Sequence, residues 1–218
     1  MDTTPVSPRG ESTAIVMRPL GSPLPLGFLA LAAAAFVAAG LQLGWAPSAE
    51  RHAVAAVMIA FAFPLQLLAS VLGFRARDTA FGTAMALLAG SWLVQGLLLT
   101  GGPVPGTRHA LGLFLLVTAA GLLVPIAAAG TGKLAAGAVI ACAALRLCAT
   151  AVYELTGSPA WETAAGIIGL ALTGAALYAA AAFALEDSRH CPVLPVGRSG
   201  PRSEAIHQGK EPGERPEL

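Results

Sequence analysis

Ser22-Pro23-Leu24-Pro25-Leu26-Gly27 opens directly into an apolar run that ends near Gly44, and the reading of this stretch decides the fold. Proline holds φ near the helical value, and its missing N–H costs nothing in a first helical turn, so the paired prolines mark a helix start. The run that follows is about twenty residues, enough as a helix to cross a hydrocarbon core of about 30 Å.

Outward from this stretch the same pattern repeats. Apolar runs cover roughly 24–44, 53–74, 79–100, 110–129, 134–155 and 160–185, separated by short polar connections. Of the 218 residues 56% are hydrophobic and only 11% charged, against a soluble norm near a quarter for charge. Long segments in lipid must satisfy their own backbone, so the fold class is all-α: a polytopic bundle of six transmembrane helices. The domain reading is a flexible arm over 1–21, a membrane domain over 22–185, and a polar tail over 186–218 that is disordered after 197. A cleaved signal peptide is the other reading of the amino end, but the first apolar run exceeds the 7–15 residues of a signal core.

Lysine and arginine placement sets the orientation. The amino arm, the second and fourth connections and the tail hold ten of these residues, whereas the opposite connections hold only Arg51 and Arg108. Both termini are therefore expected in the cytoplasm, in a multi-pass cell-membrane protein. Trp45 and Trp161 then fall together at the outer interface, where amphipathic rings anchor helices.

Several chemistries lose support. A formal charge of +1 supplies no basic stripe for nucleic acid. Cys142, Cys148 and Cys191 are read as small packing residues, and His52, His109, His190 and His207 lie too far apart for a metal set, so neither metal nor cofactor is expected. No nucleophile stands beside a base and no phosphate-cradling loop occurs, so the chain is not expected to be an enzyme.

Polar side chains at membrane depth carry the functional signal, because a charge at the bilayer centre costs about 2.5–3.5 kcal/mol even on a lenient scale. Arg146 lies about twelve residues into its span, beyond comfortable snorkelling reach. Helical spacing puts Cys142, Arg146, Thr150 and Tyr153 on one stripe with Glu154 beside it. Arg146 could hold a small anion by charge-assisted hydrogen bonds. The structural alternative is an arginine bonded to helix carbonyls or to an acidic neighbour at a subunit contact. Gln66, two residues after the break at Pro64, and Ser91, Gln95, Thr83 and Thr118 are weaker candidates. Pro64 and Pro125 should bend their helices. Small residues at four-residue spacing, Gly82-Ala86-Gly90 and Ala165-Gly169-Thr173, suit close helix approach.

The opening hexapeptide, Gln66-Leu67-Leu68-Ala69, Phe81-Gly82, Gly90-Ser91 and the tail element Val193-Leu194-Pro195-Val196-Gly197 occur in one order. In this the chain resembles the acetate uptake transporter family, the YaaH type, over about 21–197. The family's first span opens Asn-Pro-Ala-Pro-Leu-Gly; here Ser22 replaces the asparagine, while Pro23, Pro25, Leu26 and Gly27 are kept. The resemblance implies a six-span, channel-like carrier of acetate and related small monocarboxylates, often a proton symporter, assembled as a homo-oligomeric ring, hexamer or trimer, with one path per subunit. It also implies an apolar constriction of an aromatic, a tyrosine and a leucine. At those positions stand Leu31, Ala89 and Ala143, so the path is expected to be wider or differently closed. A glutamate frequent in the family is Gly73 here. The expected substrate pathway thus comprises Leu31, Gln66, Ala89, Ser91, Ala143, Arg146 and Thr150, with a small carboxylate anion and the lipid bilayer as partners. The alternatives are a sensor or scaffold that keeps the fold without transport, or a carrier of succinate or ammonium.

Overall fold

The computed structural model describes residues 21–101, 107–129, 134–189 and 193–197. Within them lie six helices long and apolar enough to cross a membrane: α1 (Leu24–Gln42), α2 (Ser48–Arg75), α3 (Thr79–Gly101), α4 (Thr107–Ala129), α5 (Leu134–Thr156) and α6 (Pro159–Arg189). The all-α, six-span expectation is met, in a multi-pass membrane protein.

Local chemistry places the helix ends. In α1, Pro25 occupies the first turn, where its absent donor is not missed, and the helix ends where Gly44 takes φ +73°. That reversal lets Trp45 N and Ala46 N both donate to Gly40 O, at 2.8 and 3.1 Å. Between α2 and α3, Asp78 caps the new helix by accepting from Phe81 N at 3.1 Å. α2 is not uniform. It opens as a tight turn at Ser48–Glu50, becomes α-helical, widens into a π turn over Val57–Ala62, and resumes at Phe63. Pro64 lies just after the wide segment, so the break expected at this proline is absorbed by the turn preceding it. Pro125 is held inside α4.

The helices form a closed ring in chain order. Each packs on its successor, and α6 returns to α1 in the most extensive contact of the bundle. The Ala165-Gly169-Thr173 stripe explains that closeness: Ala165 and Gly169 are buried, and Thr173 Oγ1 approaches Ala32 O across the seam at 3.5 Å. The α3 stripe serves only in part. A Cβ on Gly82 would stand 3.1 Å from the Phe74 ring, whereas one on Gly90 would meet nothing within 4 Å. Inside the ring Phe28, Leu31, Met85, Leu88, Trp92, Leu147 and Leu172 are buried; outside, Leu113, Val117, Leu123, Val124 and Ile167 are exposed. A helix apolar on both faces suits a core on one side and lipid on the other.

The start of α1 and the end of α6 lie at one end of the bundle, where a Cβ on Gly21 would be 3.6 Å from Asp187 Oδ2. There α6 runs four residues past the boundary expected at 185, through Glu186 and Asp187. Hydropathy falls where the chain leaves hydrocarbon, but the helix does not stop there. The tail element packs back as expected. Val196 is buried, its carbonyl accepts from Ala135 N at 3.1 Å, and Pro195 O accepts from Tyr178 Oη at 2.9 Å. Ala135 lies in the first turn of α5, where N–H groups have no intrahelical acceptor, so the tail caps that helix. Tyr178→Phe should speed hydrogen exchange at the Ala135 amide about two- to fivefold, the worth of one hydrogen bond of about 0.5–1 kcal/mol. Unchanged exchange there would show that the strap holds without the phenol. The amino arm over 1–20 and the tail beyond 197 lie outside the described residues.

Candidate functional site

Arg146 stands twelve residues from the start of α5 and ten from its end, about 18 and 15 Å at the helical rise. It is 1% exposed. Within the described residues neither a helix carbonyl nor a carboxylate holds its guanidinium. No carboxylate among the described residues lies within ion-pair distance of it, and its hydrogen bond goes to a side-chain amide: Nη2 donates to Gln42 Oε1 at 3.3 Å. The Gln42 amide also approaches Thr150 Oγ1 at 3.4 Å, one turn along α5 from Arg146. The guanidinium carbon lies 5.1 Å from the centroid of the Trp92 ring, a cation–π contact from α5 to α3. Gly169 on α6 clears the remaining flank, since a Cβ there would be 3.0 Å from Arg146 Nε. Four helices thus build one station: α1 gives Gln42, α3 Trp92, α5 Arg146 and Thr150, and α6 the gap at Gly169.

Three buried donors at this station have no acceptor: Arg146 Nε, Arg146 Nη1 and Trp92 Nε1. Buried donors are ordinarily paired, and an unpaired charge in low dielectric costs several kcal/mol, so the arrangement favours a ligand that brings acceptor atoms and negative charge. The acid expected beside the stripe is taken elsewhere. Arg108 Nε donates to Glu154 Oε2 at 3.0 Å at the far end of α5, with the Arg108 guanidinium 4.9 Å from the Tyr153 ring. Cys142, one turn from Arg146 on the other side, faces Ile168 O of α6 at 3.9 Å. Among the described residues no His, Cys, Asp and Glu group could hold a metal ion.

The other sequence candidates divide. Gln66 is fully buried; its Nε2 lies 3.5 Å from Gly27 O and 3.8 Å from Met85 Sδ, while its Oε1 has no donor. Ser91 turns to its own helix, with Oγ donating to Leu88 O at 2.8 Å. Gln95 and Thr118 likewise donate to carbonyls one turn back, at 3.1 and 2.8 Å. Leu31, Ala89 and Ala143 are all buried, on α1, α3 and α5. One turn from Leu31, Phe28 meets Phe81 edge-on at 5.8 Å and stacks on Phe183 at 6.0 Å, an aromatic cluster near the start of α1. In the opening motif Pro23 and Gly27 are buried, with Ser22, Pro25 and Leu26 half-buried. Gly27 is there for space: a Cβ would meet Met85 Sδ at 2.7 Å, Phe81 at 3.0 Å and Ala69 at 3.2 Å.

No family model matches the chain, and no curated protein matches it. Among solved structures, the bacterial acetate channel SatP is similar with a TM-score of 0.74, over 82% of this chain and 99% of that one, at 22% sequence identity. At that identity the likeness is one of fold: this chain has the six-helix architecture of that channel.

Proposed function

We propose that the protein is a membrane channel or transporter for acetate and related small monocarboxylates, in the acetate uptake transporter family, with both termini cytoplasmic. The observation that carries this reading is a buried guanidinium with two unpartnered nitrogens at mid-bundle depth, inside the fold of an acetate channel. An anion crossing a bilayer must shed water, and fixed donors in a low-dielectric interior replace that hydration without reorganising. The same charge disfavours ammonium, which it would repel. Leu31, Ala89 and Ala143, buried on α1, α3 and α5, are the positions assigned to the path in this reading, and Gln66, beside Gly27 of α1, is a second polar group.

Reconstituted into liposomes, the purified protein is expected to raise acetate permeability above that of empty vesicles. Propionate and lactate should compete, and repeating the assay with a proton gradient assigns coupling. Vesicles no leakier than plain lipid to every short acid would leave the scaffold or sensor reading in its place.

A further inference from the structure

The donors around Arg146 also define which form of a ligand the station holds. Its orphaned atoms are all donors, Arg146 Nε and Nη1 and Trp92 Nε1. The acceptor nearby, Gln42 Oε1, is engaged by Arg146 Nη2. A neutral acid or amide would pair some N–H groups but leave the guanidinium charge uncompensated at membrane depth. A dianion would reverse the imbalance, with one negative charge buried in excess. A monovalent anion with two or three oxygens leaves neither.

We propose that Arg146 and Trp92 together form a binding site for one monovalent oxyanion, the ionised form of a short monocarboxylic acid, with the Trp92 indole N–H as a ligand donor. Gln42 is the positioning residue: it holds Nη2 and leaves the rest of the guanidinium to the ligand. The proposal rests on the monocarboxylate reading above for its natural ligand, yet binding at this site does not require flux.

Trp92 makes the test direct. The chain has three tryptophans, and Trp45 and Trp161 are exposed, so Trp45→Phe/Trp161→Phe leaves a single reporter in contact with Arg146. Titrated at constant ionic strength, its fluorescence should respond saturably to acetate and to methanesulfonate, which is ionised at any working pH. Acetamide and malonate should bind at least about tenfold more weakly. Arg146→Gln should cost acetate at least about tenfold in affinity, and calorimetry on Trp92→Phe should show a loss of about tenfold, the worth of one hydrogen bond to a charged group. If Arg146→Gln does not fold, Arg146→Lys, which keeps the charge but not the fork, takes its place with Trp92→Phe. Absence of a saturable response, equal affinity for acetamide or malonate, or unchanged acetate affinity in these variants would overturn the proposal. A normal titration without flux would instead remove transport and keep the site, whereas flux with no titration would remove the site alone.

Discussion

Acetate flux through reconstituted Arg146→Leu is expected to fall about a hundredfold or more, with the amount of folded protein in the membrane close to that of the unaltered chain. Removing one partner from a buried charge pair costs about 3–5 kcal/mol, and each 1.4 kcal/mol is a factor of ten. Here the partner lost is the anion's, so the penalty falls on passage. Folding is affected in the other direction, because exchanging a buried charge for an apolar side chain of similar reach is often neutral or stabilising. What the fold loses is the Gln42 hydrogen bond at 3.3 Å and the contact with the Trp92 ring. Parallel measurement of flux and thermal unfolding separates the two. A collapse in stability with flux per folded molecule unchanged would make Arg146 a structural arginine.

Gly73→Glu, which restores the residue frequent in the resembling family, is expected to abolish most of the folded protein. Gly73 is buried where α2 crosses α3; a Cβ there would lie 3.0 Å from the Phe81 ring and 3.2 Å from the backbone of Gly82. One turn away Ser70 Oγ donates to Gly82 O at 2.7 Å, holding the two helices at that separation. The methyl group of Gly73→Ala alone should cost about 1–3 kcal/mol by overpacking. A carboxylate adds bulk and a buried charge with nowhere to turn. Size-exclusion yield and the unfolding midpoint in detergent check both variants, and a normal yield of Gly73→Glu would show that the helices part easily at this point. This crossing occupies the space that a carboxylate would need, and the Phe81 ring that closes it is the same ring that lies against Gly27.

The spans were legible because hydropathy reports the one thing lipid demands, and their bounds fall within a few residues of the helices. Arg146 and Thr150 were legible for a related reason: depth in an apolar run and four-residue spacing are both linear quantities. Gln42 and Trp92 were not. A polar residue at the end of a span is ordinary, and a tryptophan in an apolar run reads as bulk, so only the closed ring, across which Gln42 and Trp92 both reach Arg146, brings the three together. Ser91 shows a different limit, since composition cannot foresee that its hydroxyl bonds to Leu88 O of its own helix. The widened turn before Pro64 was equally hidden, because a proline marks where a helix is perturbed but not how the preceding turn accommodates it.

The seam between α1 and α6 bears on how the nascent chain is made. When the fifth span leaves the translocon, Gln42 is already available, but the hollow at Gly169 that admits the guanidinium has yet to be synthesised. Until the sixth span arrives, the bilayer carries that cation at a penalty of about 2.5–3.5 kcal/mol. Arrival of the sixth span and burial of the Arg146 charge are therefore one event, and a chain halted before Pro159 would leave that charge facing lipid.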